Sequence, residues 1–599
     1  MAALIEDYAL LGNCKTAALV DKDGSLDWLC FPRFDSPACF AALLGNQDNG
    51  RWLMTPREAV RQRSRGYRAG TLILETTFET ANGRAMLIDF MPMGSEHSSV
   101  VRIVAGLEGQ VDFEMDLAIR FDYGSSVPWV EKPVPRTLVA VAGPEMLVLR
   151  SGAELHSRAR SSGSEFTVRA QERHVFVLTH QPSNLPIRDG FDAEQALCET
   201  ERFWCDFSDR CPEVGPWSEL VKRSLITLKA MTYSPTGGIV AAVTTSLPER
   251  LGGERNWDYR YCWLRDATMT LLALMNLGYY EEANAWRDWL LRSVAGNPEQ
   301  IQIMYGLGGE RRLPEYELPW LSGYEESRPV RIGNAAADQL QIDVYGEVVD
   351  AMTQARKGGM SHHPRGAAIS AVLQPYLEKV WRQPDEGLWE IRGEPQHFTH
   401  SKVMAWVAFD RWAKEAETDP TGQARALHCR SVADVIHREV CDRGVDPILG
   451  CFVQSYGSQH MDASLLHILL TGFLPPDDPR VLKTVEQIEQ RLLRQGLLLR
   501  YDTSSTDDGL TPGEGTFLVC SFWLADAYVL MERFDDAHQL FQRLSGLCND
   551  VGLLAEQFEP QSGRMLGNFP QAFSHLGIIN TALNLHRAHR PVQARAQTR

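Results

Sequence analysis

The chain reads as two architectures in series: an antiparallel β-sandwich, then an all-α domain whose paired helices close into a barrel. Three observations predict this. Up to about Ser183, short β-rich runs are punctuated by Gly, Asn and Pro. From Trp217 onward the apolar period becomes that of helices. The connections between those helices vary from very short to very long and are rich in aromatics. A solenoid keeps its repeat regular, whereas long connections on a rigid scaffold build sites.

In the leading part, 16–20 and 25–29 flank Asp21-Lys22-Asp23-Gly24, and 71–80 and 84–91 flank Ala81-Asn82-Gly83, both hairpin signals. Further strands are predicted at 100–107, 111–121, 137–141, 146–149 and 166–178. A linking helix follows at 194–207. Helical periodicity then predicts 219–231, 265–277, 279–294, 337–356, 365–382, 399–416, 423–440, 461–471, 478–493, 514–531, 533–546 and 572–588. The stretches 274–283 and 529–537 resemble one another, with an acidic pair and an Ala after an aromatic at a helix junction, as repeated helix pairs require. The expected organisation is a β-sandwich domain at 1–193, a helical linker at 194–216, the barrel at 217–590, and a tail at 591–599 too polar to stay ordered.

The totals exclude several classes of function. A chain of 599 residues with 44% apolar and 23% charged residues is globular and long enough for more than one core. Its formal net charge of −17 argues against nucleic-acid partners and anionic polymers. No apolar run reaches membrane-spanning length. Glu6 and Asp7 stand where a secretory leader would be basic. The 12 Cys form no Cys-x-x-Cys pair, so neither a zinc ribbon nor a disulfide framework is indicated, and a cytoplasmic location is expected. The sequence leaves the oligomeric state open, a homo-oligomer included.

Chemistry concentrates in three places. Between Asn256 and Asp266, the aromatics Trp257, Tyr259, Tyr261 and Trp263 alternate with other residues, among them Asp258, Arg260, Arg265 and Asp266. Flat faces beside forked donors and acid acceptors suit a polyhydroxylated ring, although a buried ion pair under an aromatic core would look the same. Glu390 follows Trp389 in a connection. A carboxyl against an indole, away from water, has its charged form disfavoured, which suits a general acid. Glu556 lies in a second connection between an apolar run and Phe558. Two carboxylates flanking a bond are the machinery of glycoside hydrolysis. His397 and His400 lack a third ligand, and Asp507-Asp508-Gly509 reads as a turn, so no metal site is expected. With no phosphate-binding Gly-rich loop and no nucleophile elbow, no cofactor is expected either.

Taken in order, Trp263-x-Arg265-Asp266, Leu388-Trp389-Glu390 and Ala555-Glu556-Gln557-Phe558 resemble glycoside hydrolase family 15, the glucoamylases. The N-terminal run from Ile5 to Asn13, with Asp27-Trp28-Leu29-Cys30 and Phe34-Asp35-Ser36-Pro37, is similar to the leading domain of the family's bacterial trehalase-like branch. The resemblance implies an (α/α)6 barrel and an inverting exo-acting hydrolysis of a small α-glucoside, trehalose or a short malto- or isomalto-oligosaccharide. Glu390 would then protonate the glycosidic oxygen and Glu556 would deprotonate the attacking water. Arg265 and Asp266 would grip the non-reducing glucose, Trp389 would wall the pocket beside Trp263, and Arg500 would be a further sugar-binding residue. Fungal members carry a second Glu directly after the acid, where this chain has Ile391, which moves the expected preference away from long starch chains. The alternatives are a glycoside phosphorylase, from which the base would be missing, and a non-catalytic sugar-binding protein, which would lack one carboxylate. A lyase or terpene cyclase on a helical barrel lacks its acidic cluster or basic array here.

Overall fold

The computed structural model describes residues 2–94, 98–294, 296–361, 363–586 and 591–596. The leading domain is a pair of antiparallel sheets sharing one strand, Ser99–Ala118. Its first half pairs with Gly83–Phe90 and Arg173–Pro182, and its second half with Arg51–Pro56 and Ser162–Arg169. Sequence periodicity reads it as two strands because Gly106 and Gly109 interrupt the pattern. The chain in fact passes there from one sheet to the other, with Gly109 at φ +60°. Between the sheets Arg102, fully buried, donates to Asp89 (2.8 and 3.1 Å) and to the carbonyls of Trp52 and Gly24.

Helix α1 (Ala193–Ser208) leads to the helical domain, built from α2 (Ser218–Ala230), α3 (Ala267–Asn276), α4 (Tyr280–Ser293), α5 (Asp343–Lys357), α6 (Pro364–Val380), α7 (Thr399–Glu417), α8 (Gln423–Arg443), α9 (His467–Leu470), α10 (Pro479–Leu492), α11 (Leu518–Leu530), α12 (Phe534–Ser545), α13 (Ala572–His586) and α14 (Pro591–Ala596). Helices α3, α5, α7, α9, α11 and α13 touch in that order, and α13 returns to α3, which closes an inner ring. The intervening helices pack outside it. The composition explains the layers. Every residue of α11 is buried, as an inner helix apolar on all sides must be, whereas α10 and α12 bury a single stripe. The two similar stretches are both turns from an inner to an outer helix. At each, a backbone N–H reaches back five residues, Tyr279 to Leu274 and Arg533 to Tyr528, both at 2.8 Å. Their acidic pairs fall in the first turns of α4 and α12, where the helix dipole favours them. This is the β-sandwich followed by an (α/α)6 barrel.

Two expectations are corrected. The helices predicted to start at 265, 337, 461 and 514 begin later, at Ala267, Asp343, Ala463 (a 3-10 turn before α9) and Leu518. The residues ahead of each point irregularly toward one end of the barrel. The tail was expected to fray, yet 591–596 form α14. Val592 and Arg595 are buried, and Arg595 Nε donates to Asp350 Oδ2 of α5 at 2.8 Å. A buried charge holds it together with Val592, which joins the apolar core. Residues 597–599 lie outside the described residues, as do 587–588 of the last predicted inner helix.

The two domains meet along the 256–266 stretch. Arg260, fully buried, donates to Asp258 (2.6 and 2.8 Å) and reaches across to the Tyr123 hydroxyl (2.8 Å) and the Ser36 carbonyl (3.1 Å) of the leading domain. From the other side, Trp28 Nε1 donates to the Val243 carbonyl at 2.8 Å.

Candidate active site

Six segments, each feeding the N-terminal end of an inner helix, converge on one end of the barrel. Arg265 and Asp266 precede α3, Gln339 precedes α5, and Trp389 and Glu390 precede α7. Asp462 precedes α9, Arg500 and Glu514 precede α11, and Glu556 and Asn568 precede α13. Between them lies a cavity whose lining includes Glu249, Tyr259, Arg265, Trp389, Glu390 and Arg500.

Glu390 sits at φ +58°, a region non-glycine residues seldom occupy, at the end of a turn that starts at Gly387. Its Oε1 accepts from the indole N–H of Trp263 (2.7 Å) and from Arg265 Nη1 (3.2 Å). Oε2 makes no hydrogen bond to any described residue, and the side chain is 16% exposed. One oxygen is therefore clamped and the other is available to a ligand. Arg265 also donates to Asp266 Oδ1 (3.2 Å) and to the Leu388 carbonyl (3.2 Å). Burial raises the Asp266 carboxyl above its ordinary range, and the Arg265 charge opposes that rise.

Trp389 is oriented by its N–H, which donates to both oxygens of Asp462 at 2.9 Å. Its ring packs against Phe517 and Trp523, with centroids 5.8 and 5.9 Å away. Arg500 lies over the rings of Tyr501 and Trp389, with its fork held by Glu514 (2.8 Å) and Glu249 (2.9 Å).

Glu556 lies deeper and is only 1% exposed. Its Oε2 accepts from the Asn568 backbone N–H at 3.1 Å, and its backbone N–H returns the bond to the Asn568 carbonyl. Its Oε1 has no hydrogen-bond partner. Burial, reinforced by the charge of Glu249, pushes its carboxyl up to about 8, against the Asn568 N–H, the nearby Tyr259 hydroxyl and Arg500. Tyr259, half-buried at the cavity, feels the charges of Glu556, Glu249 and Glu390 together.

All seven residues singled out from the sequence thus lie at this end. Trp263, Arg265, Asp266 and Glu390 form one bonded group, Trp389 and Arg500 line the same cavity, and Glu556 is reached past Tyr259. Sequence reasoning missed Glu249, Glu514 and Asp462, which sit in connections with no pattern of their own. It also assigned no role to Tyr259, although the alternation of aromatics between Trp257 and Trp263 was the available signal. Half of the 256–266 stretch is the buried ion pair that the alternative reading described, Asp258 with Arg260. The other half is the site. Asp508 is no plain turn residue, since it accepts from Arg255 (2.8 and 3.0 Å) and the Tyr501 hydroxyl (2.6 Å). His400 packs edge-on against His467 at 5.0 Å, and burial drives it down to about 3, so it is neutral packing. Among the described residues no group of three or more His, Cys, Asp or Glu is placed to hold a metal ion, and no helix is long and apolar enough to cross a membrane.

Comparisons with known proteins agree with this geometry. Residues 215–583 match the model of glycosyl hydrolases family 15, and residues 1–195 match the trehalase-like N-terminal domain. The trehalase of Mycobacterium tuberculosis is 40% identical over 98% of this chain and 90% of its own length. That of Thermoplasma volcanium is 34% identical over 98% of this chain and 94% of its own. A crystal structure of bacterial glucoamylase complexed with acarbose shares the fold, with a TM-score of 0.75 at 12% identity over 99% of this chain and 96% of that one. With two carboxylates in contrasting surroundings at one end of an (α/α)6 barrel, and a family model covering most of the chain, this protein belongs to glycoside hydrolase family 15 and is an α-glucoside hydrolase.

Proposed function

We propose that the chain hydrolyses trehalose with inversion, releasing β-glucose from the half whose anomeric carbon is attacked. The carrying observation is the contrast between its two carboxylates. Glu390 has one oxygen clamped by Trp263 and Arg265 and the other available to the pocket. Glu556 is buried with an oxygen that nothing in the protein occupies. Glu390 is then the general acid, giving its proton to the glycosidic oxygen. Glu556 is the general base, taking a proton from a water that attacks the opposite face. Arg265 and Asp266 hold the hydroxyls of the ring being cleaved, Trp389 gives it an apolar wall, and Arg500 supplies a further donor. Trehalose is favoured over longer glucans by the trehalases that match the chain end to end, by the confined cavity, and by Ile391 beside the acid. A phosphorylase would need no base, and Glu556 is in its motif. The 12 free cysteines support a reducing, cytoplasmic setting.

A proton NMR time course with trehalose, maltose and isomaltose in parallel tests the reading. From trehalose, β- and α-glucose should appear together in equal amounts, one from the attacked half and one from the leaving half, and faster than glucose from maltose or isomaltose. Only α-glucose, or a glucose phosphate formed solely with added phosphate, would overturn it. Glu390→Gln should lower kcat by about 10³-fold or more while leaving glucose binding largely intact, because acid catalysis acts on the transition state. Steady-state kinetics and a binding isotherm separate the two effects.

A further inference from the structure

Glu249 belongs to none of the motifs, yet three backbone hydrogen bonds fix it where three connections meet. Its N–H donates to the Arg255 carbonyl (3.1 Å), its carbonyl accepts from Gly515 (2.9 Å), and the preceding Pro248 carbonyl accepts from Gly567 (2.8 Å). Gly567 is the residue packed directly against Glu556. The Glu249 side chain is 1% exposed and lines the cavity. Its Oε2 takes Arg500 Nη2 at 2.9 Å, while its Oε1 has no partner. Glu556 Oε1, close by, is equally unpartnered. Leaving one buried carboxylate oxygen bare is costly, and two on side chains linked through the Pro248–Gly567 hydrogen bond point to a use.

We infer that Glu249 is a positioning residue of the hydrolytic site, which anchors Arg500 and, by facing Glu556, governs when Glu556 can accept a proton. The inference rests on the reading of Glu556 as the base.

The surrounding charges are unbalanced. Glu249, Glu514 and Asp508 share two cations, Arg255 and Arg500, whereas Glu556 makes no ion pair among the described residues. A buried carboxylate without a paired cation has its charged form disfavoured. Arg500 is committed to Glu249 and Glu514, and Arg255 to Asp508, which leaves Glu556 with the Asn568 N–H, the Tyr259 hydroxyl and the more distant Arg500. The proton therefore collects on Glu556, in keeping with the rise to about 8 that burial and then Glu249 produce. A base must be ionised to work, so kcat/KM should climb with pH through the titration of Glu556.

The test is the pH profile of kcat/KM for trehalose, which reports groups of the free enzyme. The unmutated protein should show an acid-side midpoint well above the ordinary carboxylate range, toward 8. Glu249→Gln should move that midpoint down by about one pH unit or more, because a negative neighbour is removed. It should also raise KM several-fold as Arg500 loses an anchor. Glu249→Asp, which keeps the charge, should raise KM but leave the midpoint in place. A midpoint in the ordinary carboxylate range for the unmutated protein overturns the inference whether or not the variants fold. An unmoved midpoint in a folded Glu249→Gln does so as well. Glu390→Gln and Glu556→Gln run in parallel separate the two failures. If either keeps near-normal turnover, the assignment of acid and base falls; if both are inactive and the midpoint stays put, only the role of Glu249 falls.

Discussion

Gly567 has no room for a side chain. A Cβ there would lie 2.4 Å from Glu556 Oε2 and 2.7 Å from Glu556 Cβ, and its φ of +72° favours glycine besides. Gly567→Ala should therefore push the base off its Asn568 bond. We expect kcat to fall by about 100-fold, the scale of a misplacement of about 1 Å, with a stability loss of about 1–3 kcal/mol. Turnover assays beside a thermal melt check both. At this scale the sequence was informative where residue type itself carries the chemistry. An indole and an Arg two residues apart, and a Glu behind a Trp, announced a site. It was silent where the role comes from a meeting of distant loops. Glu249 looks like any surface Glu until Arg500 and Gly567 are brought beside it.

Among the elements, helix periodicity was legible and helix starts were not. The predicted helices extend through 265–266, 337–342, 461–462 and 514–517, but those residues lie ahead of the helices, with Arg265 and Phe517 in the cavity wall, and no local pattern records that. The last helix was illegible for a different reason. α14 is held in part by charge, with Arg595 placed among Asp350 (2.8 Å) and Glu347 (3.8 Å) of α5. The Arg411 and Arg595 charges keep the Asp350 carboxyl well below its ordinary range despite its burial. Arg595→Leu should destabilise the fold by about 3 kcal/mol, since removing one member of a buried ionic group leaves charge uncompensated. A denaturant midpoint near that of the unmutated protein would show that α14 contributes nothing.

Contacts between inner helices also give the whole molecule a pH dependence. Asp526 of α11, bonded by Asn584 of α13 (2.9 Å), has its carboxyl pushed up to about 7 by burial. An unfolded Asp titrates near 4, on the order of its model value. The folded state therefore keeps a proton that the unfolded chain releases, and this stabilisation is complete below about pH 4 and lost as pH rises to about 7. Asp526→Asn removes that term. Relative to the unmutated protein, the variant should gain stability steadily between pH 5 and 7, by at most about 1.4 kcal/mol per unit. Urea unfolding at a series of pH values measures the difference, and a constant offset would contradict it.

The seam between the domains has a practical corollary. Within a few residues of one another, Arg260 locks onto Tyr123 and Ser36 of the leading domain, and Arg265 locks onto Glu390 at the cavity. The backbone that carries Arg265 to the cavity is thus the same backbone that braces the sandwich. The leading domain behaves as a buttress and not as a removable cassette. A chimaera that exchanges it for another module has to bring Tyr123 and the Ser36 loop with it, or the anchor of Arg265 comes loose.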